Sequence, residues 1–187
     1  MFNISKTFEC CYGHRVWNQS LNQKYSLDNA CVCRHIHGHQ MKLMVGLKAK
    51  DLEGGMVTDF KHLNCIKKLV DDVIDHKFIM DINDPLFSNL FSEINLDTDI
   101  IWVKSKDSKK LYGTVNLDKF KNLESCIFEK IEGLVVVDFV PTSENLCRFF
   151  GDVAKDSLDG LLDDRIKLSF VEFWETPKSR CVYTIES

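Results

Sequence analysis

The sequence predicts an α+β fold built on an antiparallel sheet. Two segments near the N-terminus, 4–16 and 39–52, alternate apolar and polar residues as half-buried strands do. Apolar residues then recur at helical spacing in two further segments, and the chain closes with two more strand-like runs. The order is strand, strand, helix, helix, strand, strand, which is typical of α+β proteins.

In each of the two N-terminal strands, alternate positions form one apolar face. In the first strand, this face ends in a histidine and consists of Phe8, Cys10, Tyr12 and His14. In the second it consists of Met41, Leu43, Val45 and Leu47, and lysines occupy the opposite face. Each strand should therefore bury one face and expose the other. A polar loop at 18–29 separates them, and a turn at 53–56 follows the second.

The predicted helices begin at capping residues. Asp59 is an N-cap for a helix that runs to about residue 74. A second helix follows Pro141, with Thr142 or Ser143 as its cap. Its predicted apolar face consists of Leu146, Phe149, Phe150, Val153, Leu158 and Leu161. The last two strands, 166–176 and 181–185, flank a turn at 177–179.

The segment 84–136 fits this order poorly. It contains a hairpin formed by 99–103 and 111–115 and a weakly helical stretch at 117–132. Because it is short for an independent core, we interpret it as an insertion into a single domain of residues 1–187.

Composition excludes several classes of protein. A net charge of -4 and a pI near 5.9 disfavour binding to nucleic acid or to an anionic membrane. The N-terminus lacks the apolar core of a signal peptide, and no run approaches the ~18 apolar residues of a spanning helix. Without a secretory signal, the eight cysteines are predicted to be reduced thiols in a cytoplasmic protein.

The densest group of metal-binding residue types is the nine-residue stretch 31–39, which holds three histidines and two cysteines. In an extended strand His37 and His39 project from the same side, so both can reach one ion. A third imidazole from another strand would leave a coordination position open, as in catalytic zinc sites. The alternative is a polar turn with solvated histidines.

Several motifs occur in a fixed order, and together they resemble the 6-pyruvoyl-tetrahydropterin synthase / 6-carboxytetrahydropterin synthase family. They are Gly13-His14-Arg15, Cys33-x3-His37-Gly38-His39, Gly55-Met56-Val57-x-Asp59-Phe60, Asp75-His76, Pro141-Thr142-Ser143-Glu144-Asn145 and Glu175-Thr176. The resemblance implies the tunnelling fold, a four-stranded antiparallel sheet with two helices on one face. It also implies a homohexamer, a dimer of trimers, with active sites at subunit interfaces.

The same resemblance implies roles for individual residues. Zn²⁺ would be bound by His14, His37 and His39. The substrate would be 7,8-dihydroneopterin triphosphate. Cys33, Asp75 and His76 would form a catalytic proton relay. Glu175 would anchor the pterin, where a carboxylate can accept two parallel hydrogen bonds, and the adjoining loop would consist of Thr142, Ser143 and Glu144.

Ordinary structural roles compete with these assignments. Asp75-His76 could simply end a helix, where a histidine favours the dipole. Glu175 could be a solvated strand end, and Glu144 a first-turn helix acid. Cys31 and Cys33 could complete a closed structural zinc site. Of the other histidines, His35 is predicted to be outer-shell or solvent-facing and His62 structural.

The spacing of the cysteine indicates the branch of the family. Cys33 stands four positions before His37, as is typical of bacterial 6-carboxytetrahydropterin synthases of the queuosine and 7-deazaguanine pathway, so a bacterial or phage member is predicted. Cys31, six positions before His37, would instead fit the pyruvoyl-type synthase. A hypothesis of another class is a catalytically inactive, zinc-stabilised oligomeric scaffold.

Overall fold

The computed structural model describes residues 1–19 and 31–185, so most of the predicted loop at 18–29 lies outside the described residues. Eight strands lie in the described part of the chain: β1 (Phe2–His14), β2 (His37–Ala49), β3 (Lys77–Asp81), β4 (Ile100–Lys104), β5 (Lys110–Val115), β6 (Leu134–Val137), β7 (Ile166–Thr176) and β8 (Ser179–Thr184). The α-helices there are α1 (Asn64–Leu69), α2 (Phe87–Leu90), α3 (Ser125–Glu132) and α4 (Ser143–Leu158).

The α+β class is confirmed, but the four-stranded antiparallel sheet is wrong. The sheet has eight strands in the order β4-β5-β6-β3-β1-β2-β7-β8. It is mixed, because β3 pairs parallel with both β1 and β6. The missed strands, β3 and β6, are runs of five and four residues. Runs this short give little periodicity, and β6 is buried at every position. They therefore lack the alternation of apolar and polar residues that reveals a half-buried strand.

The described chain divides into two compact units. The first unit comprises residues 1–11, 39–75 and 143–187, and the second comprises 12–38 and 76–142, in each case within the described residues. None of the helices formed by the described residues has the length and apolarity that crossing a membrane requires.

In the first unit, β2 pairs antiparallel with β7, and β7 with β8. The predicted apolar parity of β2 is confirmed, since Met41, Leu43, Val45 and Leu47 are all buried. Helix α4 packs on β7 and β8 and also contacts α1. Leu161 does not belong to its apolar face, because α4 ends at Leu158 and Leu161 is exposed.

The predicted helix at 59–74 is confirmed with a change in its hydrogen bonding. Asp59 caps it, since its Oδ1 accepts the Lys61 N–H at 2.8 Å. A 3-10 turn precedes α1, and a π-helical turn, Val70–Ile74, follows it. The wider π turn carries the chain to Asp75, whose N–H donates to the Val70 carbonyl at 2.8 Å.

In the second unit, β4 and β5 form the predicted hairpin, and β5 pairs antiparallel with β6. Its core consists of Met80, Phe87, Phe91, Val115, Phe120, Ile131, Leu134 and Val136. This core joins side chains of the 84–136 segment to Met80 of β3. That the segment is an insertion into a single domain stays a prediction.

Candidate metal and active site

Three imidazoles converge where β1 ends and β2 begins. His14 is the last residue of β1, and His37 and His39 lie at the start of β2. Their ligand atoms all lie within 4.8 Å of one another. The His14 side chain is 0% exposed, and its ring centroid is 4.6 Å from that of His37. The two-residue spacing of His37 and His39 therefore does place both on one side of the strand, as predicted.

The donor set fits a zinc ion. Nδ1 of His14 is 2.7 Å from the Pro141 carbonyl oxygen, and Nδ1 of His37 is 2.8 Å from the His35 carbonyl oxygen. A carbonyl oxygen can only accept, so each Nδ1 carries the proton and each Nε2 offers a lone pair. Metal-binding histidines are characteristically held this way, with the second ring nitrogen donating to a carbonyl or carboxylate. His35 contributes only its backbone carbonyl to this contact, and its side chain is exposed.

Glu175, near the end of β7, lies beside this group. Its Oε1 is 3.8 Å from Nε2 of His39, and both side chains are largely screened from solvent. The predicted pterin anchor and a predicted metal ligand are therefore neighbours. The Glu175 carboxylate therefore lies beside the His39 imidazole and is less exposed than a solvated strand end would be.

Cys33 lies in a short 3-10 turn, Val32–Arg34, and is half-buried. The turn is attached to the residues that follow β1, because the Cys33 carbonyl accepts the Val16 N–H at 2.8 Å. Cys31 precedes the turn and is half-buried as well. The catalytic role of Cys33 and the choice between the two registers remain predictions.

Asp75 and His76 follow the π turn. The Asp75 Oδ1 accepts the Cys11 N–H at 3.0 Å, which ties this carboxylate to the backbone of β1. His76 is exposed and has φ +58°, in the left-handed region that non-glycine residues rarely adopt. Such strain, of order 1–3 kcal/mol, concentrates at functional sites. The backbone here is consistent with a functional role for His76.

The loop residues Thr142, Ser143 and Glu144 lie at the start of α4. Thr142 and Ser143 are half-buried, whereas Glu144 is exposed in the first turn of the helix. The Thr142 N–H donates to the Val140 carbonyl at 2.8 Å, which folds the chain tightly around Pro141. The same turn presents the Pro141 carbonyl to His14. Binding of the pterin by these three residues stays a prediction.

Two buried acidic residues that contact the segment after His14 are not predicted from the sequence. Asp81 is 2% exposed and Asp84 is 4% exposed, and both contact side chains that follow His14. The available signal was an aspartate at each end of a short polar turn, next to an apolar run. Nothing local distinguishes such residues from solvated turn residues.

Gly38, between two of the histidines, allows close approach of the backbone of β1. A Cβ at this position would lie 3.0 Å from the Tyr12 carbonyl oxygen. We expect Gly38→Ala to weaken zinc binding about tenfold, since overpacking typically costs about 1–3 kcal/mol. Competition with a chromophoric chelator would measure this. Gly133→Ala is the control, because its Cβ would meet its nearest neighbour at 3.5 Å. Equal zinc affinity in both variants would contradict the expectation.

Comparison with known proteins places this geometry in context. A family model described as 6-pyruvoyl tetrahydropterin synthase matches residues 3–186. The chain is 33% identical over 195 residues to a 6-carboxy-5,6,7,8-tetrahydropterin synthase of Aquifex aeolicus, covering 99% of each. It superposes on the crystal structure of an uncharacterized protein from Wolinella succinogenes with a TM-score of 0.87 and 43% identity, covering 99% of this chain and 98% of the other. The 6-pyruvoyl tetrahydropterin synthase of Caenorhabditis elegans shares the fold, with a TM-score of 0.54 and 20% identity, over 99% and 96% of the two chains.

Proposed function

Because the chain belongs to the 6-pyruvoyl tetrahydropterin synthase family and has its tunnelling fold, we propose that it is a zinc-dependent 6-carboxytetrahydropterin synthase. In the proposed reaction, 7,8-dihydroneopterin triphosphate and water yield 6-carboxytetrahydropterin, acetaldehyde and triphosphate. The product would enter the synthesis of queuosine and related 7-deazaguanines. We place the enzyme in the cytoplasm, where thiols stay reduced.

One observation carries this proposal: three imidazoles converge within 4.8 Å, and two of them are held by carbonyl oxygens through Nδ1. Neutral imidazoles leave a bound zinc ion its full double positive charge, which would polarise the side-chain oxygens of the substrate. The buried His14 and the carbonyl contacts hold the rings in place before substrate binds. A solvated polar turn would not need such outer-shell partners.

Proton transfer is assigned to Cys33 and His76. The thiol would move protons between the pterin ring and its side chain, and the imidazole would exchange them with the thiol. His76 is exposed and can exchange protons with solvent. Asp75, which is hydrogen-bonded to the Cys11 N–H, would hold the adjoining His76 in place.

Glu175 would bind the pterin ring. Its carboxylate can accept two parallel hydrogen bonds from the 2-amino group and the neighbouring ring N–H, and charge-assisted pairs of this kind are strong and directional. The 3.8 Å separation from His39 supports this role, because a pterin held by Glu175 would lie close to the imidazole group. Thr142, Ser143 and Glu144 would form the adjoining wall of the pocket.

The carboxy-type product is favoured over the pyruvoyl-type product by two observations. Cys33 has the shorter spacing to His37, and the Aquifex aeolicus relative at 33% identity is a 6-carboxy-5,6,7,8-tetrahydropterin synthase. The test is to incubate zinc-loaded protein with dihydroneopterin triphosphate and to identify the pterin product by mass. A 6-pyruvoyl product would reverse the choice. No consumption of substrate would overturn the enzymatic function and favour the scaffold.

We also propose that the protein assembles into a trimer or a hexamer of two trimers. The sheet ends in two outer strands, β4 and β8, and open strand edges must be paired or blunted to avoid uncontrolled association. Closing a ring of subunits would pair such edges. Light scattering at micromolar concentration is expected to give the mass of three or six subunits of 21.6 kDa, and a monodisperse monomer would contradict this.

A further inference from the structure

Two buried carboxylates at the end of β3 hold the residues that follow the metal ligand His14. Asp81 is the last residue of β3, and Asp84 follows it by one short turn. They are 2% and 4% exposed. Buried carboxylates are costly unless they are paired or hydrogen-bonded, so their partners indicate what they hold in place.

Asp81 is fully engaged. Its Oδ2 accepts the indole N–H of Trp17 at 2.9 Å. Its Oδ1 accepts the backbone N–H and the side-chain amide of Asn83 at 2.9 and 3.0 Å. The Asn83 contacts orient the carboxylate within its own turn, which leaves Oδ2 directed at Trp17.

Asp84 has the same arrangement. Its Oδ1 accepts the Leu86 N–H at 2.9 Å, and its Oδ2 forms an ion pair with Nε of Arg15 at 2.9 Å. The two carboxylates therefore hold Arg15 and Trp17, the residues on either side of Val16. We call these four side chains, Arg15, Trp17, Asp81 and Asp84, the carboxylate clamp.

The residue between the two anchors holds the Cys33 turn. Val16 is 8% exposed, and its N–H donates to the Cys33 carbonyl at 2.8 Å. A displacement of Arg15 or Trp17 is therefore expected to move the Val16 N–H relative to the Cys33 carbonyl. A chain of direct contacts runs from each carboxylate through the segment 15–17 to the backbone of Cys33.

We propose that the carboxylate clamp positions Cys33 relative to His14, so that its four members are positioning residues for the proposed reaction. The inference rests on the proposed function, in which Cys33 transfers protons. A catalytic group must lie within hydrogen-bond reach of the proton it moves. A misplacement of about 1 Å can lower the rate about 10²-fold, so loosening one anchor should lower turnover about tenfold.

The test is Trp17→Phe, which keeps an aromatic ring but removes the indole donor to Asp81. The alkylation rate of each cysteine is followed by mass spectrometry of its peptide, together with zinc content and kinetics toward dihydroneopterin triphosphate. The matched control is Trp102→Phe, a partly buried indole of β4 in the same unit that packs on its core. Cys126, which is exposed, and Cys147, which is buried, report on the rest of the fold.

In Trp17→Phe we expect Cys33 to be alkylated about fivefold faster and kcat to fall about tenfold, with KM within twofold. Zinc content and the protection of Cys147 should match wild type, and Trp102→Phe should change neither rate. An unchanged Cys33 rate and an unchanged kcat would overturn the clamp. If Cys147 becomes reactive in Trp17→Phe, that variant has loosened the fold as a whole. The Cys33 alkylation rate and kcat of Arg15→Lys then decide whether the clamp positions Cys33, since that variant keeps the charge but loses the Nε geometry.

The two proposals fail in different ways. If wild-type protein consumes no dihydroneopterin triphosphate, the proposed function fails, but the Cys33 alkylation rates still report whether the clamp holds the turn. If wild type forms product and Trp17→Phe behaves like Trp102→Phe, the clamp fails and the proposed function stands.

Discussion

Cys33→Ala is expected to lose most turnover, about 10²–10⁴-fold, the usual contribution of a general acid–base group. The thiol is proposed to carry the protons of the reaction, and no other group in the turn 32–34 can replace it. The variant should still bind zinc and assemble, because Cys33 is not a metal ligand in this assignment. Steady-state kinetics, elemental analysis and light scattering on the same preparation would measure all three properties.

His76→Ala should lose a similar amount, and the double variant should lose little more than either single one. Groups that act as a unit show losses that do not add. Fully additive losses would mean that His76 acts separately from Cys33.

Cys31→Ala is the matched control for the thiol. It removes the other cysteine next to the same turn, also half-buried, and should keep most activity. The reverse pattern, with Cys31→Ala inactive and Cys33→Ala active, would mean that the catalytic cysteine is six positions before His37. That outcome would also favour the pyruvoyl-type synthase.

The His37→Ala, His39→Ala double variant is expected to lose its zinc. Wild type should bind about one ion per subunit with three imidazoles and an open position, and a single remaining histidine cannot hold it. Because the ion supplies the positive charge of the proposed site, turnover should be lost as well. Elemental analysis after dialysis against a mild chelator gives the zinc content, and readdition of zinc should restore activity only in wild type.

His62→Ala is the control for general effects of removing an imidazole. His62 lies in the helical segment 60–63, where its Nδ1 is 2.7 Å from Oγ1 of Thr58. This partner supports the structural role predicted for it, and its loss should leave zinc content unchanged. Full zinc occupancy in the double variant would overturn the assignment of the metal ligands.

Much of this fold is predictable because its signals are local. The buried parity of β1 and β2, the helix α4 and the hairpin of β7 and β8 follow from periodicities of two and 3.6 residues. His37 and His39 share a face for the same reason, since alternate residues of one strand point the same way. The order of the motifs also predicts the protein family, and the match of the family model over residues 3–186 confirms this prediction.

The strands β3 and β6 are not predicted because they are short and mostly buried, which leaves no alternation of apolar and polar residues. β6 is buried at all four positions, and a short apolar run of this kind is equally compatible with a buried helix segment. Their parallel pairing with each other joins residues more than fifty positions apart. Pairing between strands so far apart in the chain produces no recognisable sequence pattern within either strand.

What the sequence by itself determined is therefore the half-buried strands and the long helix, and, through the family resemblance, the three histidines that are proposed to bind zinc. Only the tertiary structure supplied the distant neighbours of these residues: the Pro141 carbonyl at His14, the Glu175 carboxylate beside His39, and the carboxylates of Asp81 and Asp84, which contact Trp17 and Arg15. The physical reason is sequence distance. Pro141 is 127 residues from His14, and Asp81 is 64 from Trp17, so these contacts arise only when the sheet brings its strands together.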